Sequence, residues 1–203
     1  MFFRILYILF WAPLMVCFGT RLKNKERVPR DRGFILCANH TSLVDVIVLY
    51  RPFWRKIRFM AKKELFKTKI GGWFFRALGA YPVNRGGADV EAIKNTMRLL
   101  ESGEVVCMFP QGTRHPVVDP RTTEVRGGVG MIAYHTGADV LPVYIRTKNN
   151  RVKLFRKTEI IVGELIRHDE LGFSDGGTKE YKAASELIFD RICTLGEEAD
   201  GKK

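Results

Sequence analysis

The amino-acid sequence predicts an α/β domain, with a mixed central sheet flanked by helices. Short apolar runs of strand length recur between turn residues, at positions 33–38, 105–109, 140–145 and 158–162. Helical apolar periodicity falls between and after them, at Val90, Ile93, Met97 and Leu100, then at Tyr181, Ala184, Ile188, Ile192 and Leu195. Strands alternating with helices are the mark of that fold class. At 203 residues the chain can bury one core without disulfide staples.

Taken in order, the first segment is set apart. Residues 2–20 read FFRILYILFWAPLMVCFGT, with Arg4 the single charge. The uncharged part, 16 residues, makes a helix of about 24 Å. A hydrocarbon core is about 30 Å thick, so the segment is short for a span, and Pro13 breaks its middle. No small-x-small cleavage site precedes the following basic residues, and Val16 before Cys17 makes a poor lipoprotein site. Arg21, Lys23, Lys25, Arg27 and Arg30 follow as a cytoplasmic flank would. The expectation is a short hydrophobic N-terminal helical membrane anchor with a basic linker over 1–30, then one domain over 31–203. A purely buried core helix is the alternative for the first segment.

Residues 33–38 then read as a buried strand, and 42–50 as a helix ending before Pro52. Asp89 caps a helix that stops at Gly103. The run 105–109 is a second buried strand, cut off by Pro110. A helix over 128–136 ends at Gly137, and 140–145 is a third strand, in which Pro142 indicates an edge or bulge position. A fourth strand covers 158–162, and Thr178 opens the C-terminal helix.

Charge is unevenly spread. The chain carries a net +12, yet residues 164–203 hold six basic and ten acidic side chains. Within 51–76 there are nine basic residues and one acid, Glu64, interleaved with seven aromatics. Such a stretch suits an anionic lipid surface or nucleic acid, or is simply a solvated face. No recognisable nucleic-acid module accompanies it. The four cysteines (Cys17, Cys37, Cys107, Cys193) form no CxxC pair, which points away from zinc and disulfides and toward a reducing compartment.

Two strand-end segments can carry chemistry. In Asn39-His-Thr-Ser-Leu-Val-Asp45 the histidine and aspartate lie on different faces of any continuous helix. With His40 in the loop and Asp45 in the first helical turn, the carboxylate can fold back to the imidazole and make an oriented base with no serine between them. The same residues also fit a capping box, Ser42 to Asp45, around an ordinary strand-end histidine. In Phe109-Pro-Gln-Gly-Thr-Arg114, Gly112 lets backbone approach a ligand, and Arg114 offers a fork for phosphate. From that segment alone, a plain turn with a surface arginine is the favoured reading. Arg85, ending a short extended piece over 79–85, is by itself a turn arginine.

Together the blocks resemble the lysophosphatidate (1-acyl-glycerol-3-phosphate) acyltransferase family. Asn39, His40, Ser42 and Asp45 match its N-H-x-S-x-x-D block. Residues 61–66 through Gly72 and Gly79 to Arg85 resemble its second region. Phe109, Pro110, Gly112, Thr113 and Arg114 match F-P-E-G-T-R, and 140–145 with Pro142 resembles the fourth block. Gln111 stands where the family usually has glutamate, and Lys69 where proline is common. Gln111 keeps an acceptor and loses the charge.

The resemblance implies His40 as general base on a lysophospholipid hydroxyl, with Asp45 orienting it. It implies direct attack on the thioester of acyl-CoA or acyl-carrier protein, and an oxyanion held by backbone N–H groups near Gly112. Lys62, Arg85, Gln111, Gly112, Thr113 and Arg114 would bind substrate, Arg85 and Arg114 gripping the acceptor phosphate. No metal or resident cofactor is implied, since the thioester is already activated. The implied partners are lysophosphatidate, the acyl donor and anionic membrane lipids, without nucleic acid, on the cytoplasmic face of the cell membrane. Rival readings are another acceptor (a different lysolipid, an ornithine-type lysolipid or glycerol phosphate) and a non-catalytic basic protein.

Overall fold

The computed structural model describes residues 12–50, 56–84 and 89–201. Seven strands form one sheet in the order β1-β7-β6-β2-β5-β3-β4, where β1 is Thr20–Lys23, β2 Phe34–Ala38, β3 Ile57–Lys62, β4 Ala80–Val83, β5 Val105–Met108, β6 Val140–Thr147 and β7 Thr158–Val162. Every pairing is parallel except β6 with β7, so the sheet is mixed, as expected.

The central strand explains the layering. All five residues of β2 are inaccessible to solvent, because a strand covered on both faces needs no polar alternation. Phe34, Leu36 and Ala38 point into one core and Ile35 and Cys37 into the other, following the two-residue period of a strand. Helices α2 (Asp45–Leu49) and α3 (Lys69–Ala77) cover the first face. Helices α4 (Val90–Glu101), α5 (Gly128–Thr136) and α6 (Thr178–Ala199) cover the second. On α6 the residues Ala184, Ile188, Phe189 and Ile192 are buried, each large one contributing on the order of 1.5–3 kcal/mol. Helices α5 and α6 cross closely at Gly130, where a Cβ would lie 2.1 Å from the Tyr181 carbonyl oxygen.

Three expectations need correction, and a fourth resolves between its two alternatives. Helix α2 begins at Asp45 rather than at residue 42, because residues 41 and 42 spend their N–H groups on the Asp45 carboxylate. Pro142 is not at an edge, since β6 lies between β2 and β7. The bulge is real and sits beside it. From the pair Val143–Val162 to the pair Val140–Ile166, three steps on β6 face four on the other chain, and the Pro142 carbonyl accepts from Gly163 N–H at 2.9 Å. Residues 20–23, expected within the anchor and linker, form edge strand β1. Residues 57–62, read as part of a basic aromatic stretch, form β3, where Ile57, Phe59 and Ala61 are buried and Arg58 reaches Glu104 through two hydrogen bonds.

The N-terminal expectation lies partly outside the described residues. Within them, Ala12–Cys17 forms a six-residue helix, α1, and no described helix is long and apolar enough to cross a membrane.

Candidate active site

The site is built where β2 leaves the sheet. Asn39 is fully buried and pairs both arms of its amide with the Ile145 backbone, donating to the carbonyl at 3.1 Å and accepting the N–H at 2.7 Å. A side chain thus extends the β2–β6 ladder by one rung while the main chain turns out of the sheet. His40, the next residue, is fixed on every side. Its N–H donates to Gln111 Oε1 at 2.6 Å, its carbonyl accepts His115 N–H at 2.8 Å, and its ring stacks on Phe109 at 3.9 Å between centroids.

Asp45 folds back to it. Its Oδ2 lies 2.9 Å from His40 Nδ1 and also accepts the N–H of Thr41 at 2.6 Å and of Ser42 at 2.7 Å. Thr41 Oγ1 adds a bond to Oδ1 at 3.3 Å. The carboxylate is fully buried, so these donors replace the water it has lost. Because an ionised carboxylate only accepts, Nδ1 carries the proton toward it and Nε2 is left as the basic nitrogen. The capping alternative is half present. Asp45 takes the Ser42 N–H, while Ser42 Oγ takes Val44 N–H rather than that of Asp45.

Among the described residues, no serine or cysteine nucleophile shares this pair. Ser42 Oγ is engaged with Val44 N–H. Burial pushes the Cys107 thiol far above its ordinary pKa, the Asp45 charge adding to the shift, and burial does the same to Cys37. Both cysteines stay protonated and sit in the core.

The loop after β5 closes the site. Gln111 is buried, with Nε2 donating to Thr123 Oγ1 at 2.8 Å, and that hydroxyl donates onward to the Pro120 carbonyl at 2.7 Å. Gly112 has φ of +69°, a conformation that favours glycine, and its N–H is spent closing the turn on the Phe109 carbonyl at 2.9 Å. The N–H groups of Thr113 and Arg114 have no partner among the described residues. Thr113 Oγ1 is 3.1 Å from His115 Nε2, and Arg114 is exposed. Lys62 ends β3 at the same end of the sheet, exposed and 3.8 Å from Glu64. Arg85 lies outside the described residues.

Sequence reasoning missed Arg126. Its aliphatic stem lies across Gly112, so close that a Cβ there would be 2.7 Å from Arg126 Cδ. The N–H of Arg126 ties to the Pro110 carbonyl at 2.8 Å. No acid among the described residues pairs with its guanidinium, which joins Arg114 beside the same turn. A lone arginine ahead of two glycines gives no local sign of this, because Gly112 is fourteen positions earlier.

Residues 19–146 match the family model described as Acyltransferase. The 1-acyl-sn-glycerol-3-phosphate acyltransferase of Bacillus subtilis is 34% identical over 188 residues, covering 90% of this chain and 90% of that protein. The enzyme of the same name from Streptococcus pneumoniae is 36% identical over 125 residues, 59% of this chain and 44% of that protein. The crystal structure of the 1-acyl-sn-glycerophosphate (LPA) acyltransferase PlsC from Thermotoga maritima superposes with a TM-score of 0.63 at 26% identity, covering 96% of this chain and 92% of that one.

Proposed function

The chain belongs to the acyltransferase family, and we propose that it moves a fatty acyl group from a thioester to the free sn-2 hydroxyl of lysophosphatidate, forming phosphatidate. The observation that carries the mechanism is the 2.9 Å contact of His40 Nδ1 with a buried Asp45 that three further donors hold in place. His40 Nε2 takes the hydroxyl proton as the oxygen attacks the thioester carbonyl. A C–O bond forms, the C–S bond breaks, and the leaving thiolate takes the proton from the imidazolium. Asp45 balances the charge of that imidazolium. The N–H groups of Thr113 and Arg114 face the developing oxyanion. Arg114 and Arg126, with Arg85, grip the phosphate monoester of the acceptor.

The donor in this reading is acyl-CoA or acyl-carrier protein, and the enzyme works on the cytoplasmic face of the cell membrane. Support for the surface comes from α3, where Ile70, Trp73 and Phe74 are exposed beside Lys67, Lys69 and Arg76. Aromatic and aliphatic side chains framed by cations fit an anionic interface.

Purified protein given lysophosphatidate and each donor in turn should form phosphatidate with one of them. His40→Ala should lower that turnover by about 10²- to 10⁴-fold. A lysolipid whose phosphate is a diester should be a poorer acceptor than lysophosphatidate. Unchanged turnover in His40→Ala, or equal use of both acceptors, would overturn the respective half of the proposal.

A further inference from the structure

Sheet topology places four separate segments at one end of the molecule. β2 and β6 run parallel while β7 and β1 run the opposite way, so the end of β6 and the starts of β7 and β1 lie beside the end of β2 from which His40 emerges. The connection between β6 and β7, residues 148–157, is therefore a neighbour of the catalytic loop. Hydrogen bonds join them. His115 N–H binds the His40 carbonyl, Val117 N–H the Asn150 carbonyl at 3.2 Å, and Asn150 Nδ2 the Val118 carbonyl at 2.9 Å. Phe155 N–H binds the Cys17 carbonyl at 2.6 Å, fastening the same loop to the end of α1.

At this end the described chain leaves several large apolar side chains in the open. Val16, Leu43, Leu65, Val117, Leu154 and Phe155 are exposed there, and Phe155 is 84% accessible. Phe155 also holds a φ of +58°, a left-handed backbone that a bulky residue rarely adopts. Residues 148–157 hold five basic side chains and no acid. Of these only Lys157 pairs with an acid among the described residues, at 2.9 Å from Glu159. At the opposite end of the sheet, by contrast, the cations are paired: Arg58 with Glu104, Arg32 with Asp139, Arg27 with Glu164 and Arg167 with Asp169.

We infer that residues 148–157 are a membrane-docking loop: Leu154 and Phe155 enter an anionic phospholipid surface, Lys148, Arg151, Lys153 and Arg156 meet its headgroups, and the catalytic end of the sheet is thereby seated on the bilayer. The inference rests on the lysolipid reading for its purpose and on the exposed side chains for its geometry. An aromatic tip framed by cations matches the interface, where apolar burial and phosphate contact are available together. Seating the loop brings the mouth beside His40 to the depth at which a lysolipid headgroup sits.

Two measurements on the full-length chain test it. In Phe155→Trp, vesicles of phosphatidylglycerol and phosphatidylcholine with brominated acyl chains should quench tryptophan emission more than in the parent protein. The double variant Leu154→Ser, Phe155→Ser should need several-fold more vesicle surface to reach half its rate on vesicle-borne lysophosphatidate. Its rate on a short-chain lysophosphatidate kept monomeric should match the parent, because both side chains lie outside the packed core. An added tryptophan that stays unquenched, or a double variant impaired equally on both substrates, overturns the docking loop. If the parent acylates neither substrate, the acceptor assignment falls while the quenching result still decides the loop.

Discussion

Asp45 Oδ2 accepts from Thr41 N–H, Ser42 N–H and the His40 ring, so asparagine at this position separates the two roles the residue could have. An asparagine oxygen can keep the backbone donors, and asparagine caps helices as well as aspartate does. What it loses is the charge that balances an imidazolium and fixes the His40 tautomer. Asp45→Asn should therefore lower kcat by about 10²-fold or more while stability falls by only about 1 kcal/mol. Turnover and thermal unfolding, measured side by side, decide between base-orienter and cap. Gln111 allows a second test at this scale. Glutamate there would still accept the His40 N–H, but Thr123 would have to turn its hydroxyl from the Pro120 carbonyl to the new carboxylate. Gln111→Glu should stay active and lose about 1 kcal/mol, whereas Gln111→Ala strands a buried N–H and should lose about 1–3 kcal/mol in the same unfolding assay. The fold-back of Asp45 to His40 could be drawn from the sequence, beside the capping alternative, because the two residues are five positions apart at one strand end. The bonds of Asn39 and Gln111 could not, since their partners are 106 and 71 positions away and no local spacing encodes them.

The edge formed by β1, β7 and β6 depends on one carboxylate. Glu159 is directly opposite Arg146 across the antiparallel pair, 2.9 Å away, and Lys157 and Lys23 approach the same group at 2.9 and 3.8 Å. Lys157, then Arg146 and Lys23, hold its pKa below the ordinary glutamate value against the effect of burial. A depressed folded-state pKa stabilises the fold above the unfolded value of about 4.3 and loses that contribution as pH falls below it. Glu159→Gln should thus reduce stability at neutral pH, and the gap from the parent should close below about pH 4 in urea unfolding across a pH series. A constant gap would mean that packing, not charge, sets the effect. Elements with one dominant signal were read from the sequence within a residue or two: β2, α4, β5, α5 and β7. Those that mix signals were missed. β3 sets Arg58, Met60 and Lys62 against Ile57, Phe59 and Ala61, so its charges masked its alternation. β1 is a four-residue edge strand whose partner, β7, is far along the chain. Pro142 is tolerated inside the sheet because the bulge on the β7 side relieves the ladder where its missing N–H falls.

At the scale of the whole molecule, the loop cations Lys148, Arg151, Lys153 and Arg156 and the open side chains of Val117, Leu154 and Phe155 gather at the His40 end, while at the other end Glu104, Asp139 and Glu164 are paired with Arg58, Arg32 and Arg27. A bilayer attracts such a molecule in two ways that salt distinguishes. Headgroup attraction contributes on the order of 1 kcal/mol per basic residue near the surface and is screened within a Debye length of about 10 Å at 0.1 M salt. Apolar insertion is not screened. Removing the N-terminal segment should leave the electrostatic part in charge, provided the cut spares the sheet. Thr20–Lys23 is β1, the Gly19 carbonyl binds Thr158 N–H, and the Cys17 carbonyl binds Phe155 N–H, so the deletion must stop at residue 16. The chain lacking residues 1–16 should sediment with anionic vesicles at low salt and detach as salt rises, while the full-length chain stays bound throughout. Neutral vesicles should hold the shortened chain far less at any salt. If the shortened chain ignores anionic vesicles even at low salt, the basic end of the sheet is a solvated face, and residues 1–16 alone supply the attachment.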